Sequence, residues 1–96
     1  MPKAYWVVSY RSISDPEKVA AYAKLAPGAT AAFGARYLAR GNAVAAHEAG
    51  LKARIVITEF PNLAQATAAY DSRAYQDALK LGDGAVRDVR IIEGME

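Results

Sequence analysis

Arg54-Ile55-Val56-Ile57-Thr58-Glu59-Phe60, closed by Pro61-Asn62, is the stretch on which the fold turns. Ile55, Val56, Ile57, Thr58 and Phe60 are β-branched or aromatic, the types that suit a pleated surface. Pro61 cannot donate to a ladder and ends the run. The apolar residues occupy both alternation sets, which predicts a strand covered on both faces. Ala4 to Arg11 has the same property, with Trp6, Val8 and Tyr10 on one face and Tyr5 and Val7 on the other.

Downstream of Pro61, Asn62 and Gln65 have the spacing of a capping box and open a helix over Leu63 to Tyr70. Asp71-Ser72 breaks it and caps a further helix, Arg73 to Leu81. Gly82 and Gly84 form a loop, and Val86 to Glu93 is the last strand. Upstream, Ala35 to Arg40 is a strand, Gly41-Asn42 a turn, and Ala43 to Glu48 a short hairpin return, followed by a second turn over Ala49-Gly50-Leu51-Lys52. Ser14-Asp15-Pro16-Glu17 starts the first helix, because a side-chain oxygen caps its free N–H groups and Pro fits the N1 position. Val19, Tyr22, Ala23 and Ala26 form its apolar stripe. Pro27-Gly28 predicts a kink or restart carrying Ala29 to Phe33, with Gly34 as the stop.

The order β–α–β–β–α–β predicts an α+β, ferredoxin-like protomer, a single domain over 1–96 with one antiparallel sheet and helices on one face. The uncovered face then presents a problem. Each large apolar side chain left in water forfeits about 1.5–3 kcal/mol. A homodimer that pairs the sheets face to face removes the difficulty, and it is the partner expected here.

Composition narrows the classes. The chain of 96 residues is 53% hydrophobic and 23% charged, which excludes a disordered or collagen-like protein. Cysteine is absent, which removes disulfides, thiolate nucleophiles and Cys-based metal sites. One histidine leaves no credible metal or haem ligand set, so no cofactor and no metal are expected. A net charge of +2 with dispersed basic residues gives no reason to expect nucleic acid. The longest apolar run, Ala4 to Val8, is too short for a bilayer and is not followed by a cleavage pattern, so a soluble cytoplasmic protein without membrane contact is expected. Neither a phosphate loop nor a nucleophile elbow is present: Gly82-Asp83-Gly84 lacks the lysine and spacing of the first.

A set of motifs carries a family resemblance: Lys3-Ala4-Tyr5-Trp6, Asp15-Pro16, Tyr22, Lys24-Leu25-Ala26-Pro27, Gly34-Ala35-Arg36-Tyr37-Leu38-Ala39-Arg40-Gly41, Glu59-Phe60-Pro61, Tyr70-Asp71-Ser72, Tyr75-Gln76 and Glu93-Gly94. In this order they resemble the domain-of-unknown-function family numbered 1330, within the dimeric α/β-barrel superfamily. The resemblance spans essentially the whole chain. It implies a ferredoxin-like protomer that dimerises through its sheet, and no established reaction. The superfamily includes cofactor-free monooxygenases, haem-degrading enzymes, isomerases and stress-responsive proteins, so fold alone does not name an activity. This chain departs from the family at Asn42, where a second glycine is common, and at Gly82, where an arginine is common. If that arginine binds an anion in relatives, Arg87 is the residue here that could replace it.

Several side chains are candidates. Arg36 and Arg40, four apart on a strand, are expected on one face about 13 Å apart, as a clamp for a carboxylate or as partners of Glu59 and Glu93. Glu59, in an apolar strand, is a candidate general base or an ion-pair partner. Tyr22, Tyr70 and Tyr75 are expected to aim phenols into a cleft between helices and sheet, or to pack. Tyr22 joins Glu59 as a catalytic candidate; Arg36, Arg40, Tyr70 and Tyr75 are the ligand-binding candidates. Ala20, Ala23, Ala66 and Ala69 leave room for a pocket. His47 is a candidate proton shuttle or an exposed loop residue, and Trp6 a stacking platform or core. The function expected is binding of a small carboxylated or aromatic molecule in that cleft. The alternatives are a cofactor-independent monooxygenase or isomerase, and a structural or regulatory dimer without ligand.

Overall fold

Strand β1 (Ala4–Ile13) lies inside a four-stranded sheet, between β3 (Arg54–Phe60) and β4 (Ala85–Glu93), with β2 (Arg36–Asn42) on the far edge beyond β3. All neighbours are antiparallel. The structure is a computed structural model that describes residues 2–95. Helices α1 (Pro16–Ala31), α2 (Leu63–Asp71) and α3 (Arg73–Leu81) cover one face, completing the ferredoxin-like fold expected from the sequence.

Caps work as the sequence indicates. Asp15 accepts from the N–H groups of Glu17 and Lys18, Asn62 from Gln65, and Ser72 from Tyr75. Ser72 also donates its hydroxyl to the Ala69 carbonyl at 2.8 Å, so one residue closes α2 and opens α3. Gly34, at φ +79, ends the turn after α1; a Cβ there would lie 2.7 Å from Pro61 Cγ.

Three local expectations fail. Helix α1 runs through Pro27 without interruption. Its last turns are held by packing of Ala26 and Thr30 against the sheet side, and Thr30 Oγ1 donates to the carbonyls of Ala26 and Pro27 at 3.0 and 3.3 Å. Gly41-Asn42 does not turn but extends β2, opposite Ile55 and Arg54. The segment 43–53 is an exposed loop and not a hairpin partner, joined at its base by Ala43 N–H to the Ala53 carbonyl at 2.9 Å. Its alanines have weak strand preference and no sheet face to pack on.

The helix-side face reads as cross-strand rows. Ile91, Trp6, Thr58 and Tyr37 form one row; Val89, Val8, Val56 and Arg40 form the next. Trp6 anchors the core, with ring centroids 4.9 Å from both Phe60 and Tyr75, and its indole N–H donates to the Ala66 carbonyl at 2.9 Å. The opposite face carries Tyr5, Val7, Ile55, Ile57 and Ile92, none of them fully buried and Ile92 58% exposed. Among the described residues no element covers it, so the imbalance inferred from the sequence is present in the structure.

Candidate functional site

Alternation along β1 and β3 puts Tyr10 and Arg54 on the helix side, at the end of the sheet beyond Val8 and Val56. Arg87 stands opposite Tyr10 from β4, and Asn42 opposite Arg54 from β2. The guanidinium carbons of Arg54 and Arg87 lie 5.7 and 5.9 Å from the centre of the Tyr10 ring, one on each side of it in the sheet. Arg40 lies over Tyr37 at 5.1 Å. Each contact is within the range where a ring attracts a cation.

Tyr22 reaches down from α1 and completes the wall. Its hydroxyl hydrogen-bonds that of Tyr75 and accepts from Arg87 Nη1 at 3.1 Å, and Arg87 Nη2 reaches Tyr75 at 3.5 Å. Between Tyr22, Tyr10, Tyr37, Arg40, Arg54 and Arg87 remains a void of about 20 Å³, room for a single water. It adjoins a wider open groove of about 560 Å³ under α1, walled by Ile13, Pro16, Val19, Ala20 and Ala23.

The electrostatics are one-sided. Among the described residues no carboxylate forms an ion pair with Arg40, Arg54 or Arg87, and neither the void nor the groove has an acidic lining residue. Arg54 Nε is enclosed and has no hydrogen-bond partner among the described residues. An unmet buried donor costs about 1–3 kcal/mol, more when charged. Burial works against the charge of Arg87, but the tyrosine oxygens beside it outweigh that and its pKa is raised. Burial pushes the Tyr22 phenol well above its usual value, Tyr75 adds to this, and Arg87 opposes it. Burial also raises Tyr37. Tyr22 is therefore a neutral hydrogen-bonding group at physiological pH, suited to donate and not to abstract a proton.

That shift makes an alkaline prediction. The folded pKa lies above the unfolded value of about 10, so the stability linked to neutral Tyr22 is present below pH ~10 and is lost as pH climbs toward the folded value. Tyr22→Phe should lose less stability than the native chain between pH ~9 and ~11, read from urea midpoints. Equal losses would show that Tyr22 titrates normally.

Gly82 explains how Tyr22 is placed. A Cβ at position 82 would lie 2.8 Å from Tyr22 Cβ, although the glycine's φ of −92 is ordinary. The arginine implied there by the family resemblance would have to displace Tyr22, and Arg87 supplies the cation from β4 instead. Gly82→Ala should destabilise the protein by about 1–3 kcal/mol through overpacking, measured by urea unfolding.

The sequence candidates divide between two faces. Arg36 and Arg40 do not share one, because a bulge at Leu38 shifts the register: Arg36 pairs with Glu59 on the outer face, while Arg40 pairs with Val56 on the helix side. Glu59 is likewise on the outer face, 3.2 Å from Lys3 Nζ and opposite Tyr5, and does not line the void that Tyr22 walls. Tyr75 is fully buried behind Tyr22. Tyr70 packs on Tyr75 and on the edge of Trp6, at 5.4 and 5.8 Å, and does not line the void. Ala20 and Ala23 wall the groove, whereas Ala66 and Ala69 are fully buried where α2 approaches the sheet. His47 lies in the exposed loop, and among the described residues no three His, Cys, Asp or Glu side chains gather as metal ligands. Tyr10, Tyr37 and Arg54 were not among the candidates, and Arg87 entered only as a stand-in for the arginine common in the family. The parity of Tyr10 with Trp6 and of Arg54 with Phe60 carried the signal.

The architecture has solved counterparts. A Rhodopseudomonas palustris protein of unknown function, RPA0582, is 15% identical over 99% of this chain and 84% of its own, with a TM-score of 0.73. A dimeric ferredoxin-like protein of unknown function from Thermobifida fusca is 16% identical over 96% of this chain and 91% of its own, with a TM-score of 0.64. SnoaB, a cofactor-independent oxygenase from Streptomyces nogalater, is 6% identical over 100% of this chain and 96% of its own, with a TM-score of 0.63. At these identities the likeness is one of fold. No protein in a search of curated sequences matches. The family model described as Domain of unknown function (DUF1330) matches residues 3–95, and the chain belongs to that family.

Proposed function

We propose that this protein is a cytoplasmic homodimer, paired through the outer face of its sheet, that binds a small carboxylated or aromatic molecule in the cleft between helices and sheet. The observation that carries the binding reading is the cleft wall: three guanidiniums and three tyrosines with no acidic residue among them. A site of convergent polar groups in an apolar cavity is the usual form of a small-molecule site. Arg54 and Arg87 are half-buried and Arg40 is exposed, so the cleft concentrates positive charge that an anion would neutralise.

The homodimer is supported by the bare apolar face and by the dimeric state of the Thermobifida fusca protein of the same fold. A cofactor-independent enzyme, the activity of SnoaB, would need a base at the reacting centre. Among the described residues neither a carboxylate nor a histidine lines the void, and Tyr22 is held neutral, so binding is favoured over catalysis. Arg40 keeps its role at the ligand, while Tyr22, expected as a catalytic candidate, becomes a neutral hydrogen-bonding group of the wall, oriented from behind by Tyr75. Arg36, Glu59 and Tyr70 lie elsewhere and have no part in this reading.

The test is a ligand screen of small carboxylated and neutral aromatic compounds by thermal shift, repeated on two variants. Arg40→Ala should weaken the binders by about tenfold or more, the loss expected for a hydrogen bond to a charged group. Arg36→Ala should leave affinity unchanged. The reverse pattern would move the site to the outer face and overturn the proposal.

A further inference from the structure

Arg54 occupies a particular place in the cleft: with Ala23 it belongs to both the inner void and the outer groove. The other two guanidiniums are engaged, Arg87 by the hydroxyls of Tyr22 and Tyr75 and Arg40 by the face of Tyr37. Arg54 also rests against a ring, that of Tyr10, but its Nε is the buried side-chain donor left without an acceptor among the described residues. That N–H has already lost contact with water, so an acceptor that bonds it displaces no water from it.

The groove beyond has a different character. Ile13, Pro16, Val19, Ala20 and Ala23 give it an apolar wall, and Asn42 is the polar side chain next to Arg54 at its inner end. One charged end and one apolar wall select a ligand of matching polarity. A second charge on that ligand would find no polar partner along Ile13, Pro16 and Val19, so the wall gains nothing from it and favours an apolar body.

We infer that the groove takes an amphiphilic monocarboxylate, with the carboxylate on the Nε edge of Arg54 and an aromatic or aliphatic body along the inner side of α1. The inference rests on the proposed cleft-binding reading and goes further, naming the ligand class, its orientation and Arg54 as the residue that sets specificity. A small swing of the guanidinium toward the groove presents the Nε–H and one Nη–H side by side, the fork that matches a carboxylate. Asn42 lies within the same row and can donate to the second carboxylate oxygen.

Nuclear magnetic resonance on the 15N-labelled protein tests this with three probes: benzoate, its neutral isostere benzamide, and acetate, which has the charge without the body. Benzoate should shift the Arg54 Nε–H resonance together with the amides of Val19, Ala20 and Ala23. Benzamide and acetate should bind at least about tenfold more weakly. Arg54→Met, which keeps the stem and removes the fork, should weaken benzoate by about tenfold or more and leave benzamide unchanged. If benzamide equals benzoate and Arg54→Met changes neither, the carboxylate assignment falls while the cleft remains a binding site for small aromatics. If no probe shifts any cleft residue at high millimolar concentration, the assignment and the binding reading fall together. Should Arg54→Met not fold, the Arg54 Nε–H resonance of the native protein decides alone: no movement on benzoate saturation overturns the inference.

Discussion

Trp6→Ala is expected to remove about a third or more of the stability of the protomer. Truncating a buried aromatic to alanine costs about 3–5 kcal/mol. A domain of this size holds roughly 5–14 kcal/mol in all, at about 0.05–0.15 kcal/mol per residue. Trp6 is 3% exposed and touches Phe60, Tyr70 and Tyr75 at once, so the cavity left behind would open between the sheet and both C-terminal helices. The Ala66 carbonyl would also lose the indole donor. Urea unfolding followed by circular dichroism should show the midpoint fall by at least about a third. Trp6→Phe, which keeps a ring but not the N–H, should lose clearly less. Equal losses would mean that the hydrogen bond dominates over the packing.

Ile57→Asp should convert the protein to monomers. Ile57 lies at the middle of the bare face, opposite Val7 on one side and Ala39 on the other. A carboxylate buried there without a partner carries a penalty of several kcal/mol, enough to undo an ordinary interface. Light scattering should give about 10.3 kDa for the variant and twice that for the native protein, with the helical signal of both unchanged. A variant that remains dimeric would place the interface elsewhere.

Much of this molecule was legible in its residues. The two-sided apolar patterns of Ala4–Arg11 and Arg54–Phe60 fixed two inner strands, and Asp15, Asn62 and Ser72 announced the three helix starts. Pro27 misled because a break that is costly in an isolated helix is tolerated where Ala26 and Thr30 are buried. The pairing of Arg36 with Arg40 misled for a subtler reason. Strict alternation puts residues four apart on one face, but one extra residue at Leu38 reverses the parity of everything after it. Nothing in the composition of Arg36–Asn42 marks that bulge.

Arg54, which the sequence reading did not single out, and Arg87, raised there only as a stand-in for the family's arginine, are placed by strand parity. Arg54 has the parity of Thr58 and Phe60, and Arg87 that of Val89 and Ile91, so both belong to the face that packs under the helices. At the end of a sheet that face opens into a cleft, and charged side chains there line it. Glu59, a carboxylate among apolar neighbours, has the opposite parity and lies on the bare face of the sheet.

The central claim is that one sheet divides its two faces, the outer one for a second copy and the inner one for the cleft. Isotope-filtered NOE spectroscopy on an equal mixture of labelled and unlabelled chains tests it most directly, since only contacts between copies give cross-peaks. The account predicts cross-peaks from the methyl groups of Val7, Ile55, Ile57 and Ile92, and none from Val19, Ala20 or Ala23. Cross-peaks from the exposed helix leucines Leu25 and Leu81, with silence from the sheet methyls, would contradict it.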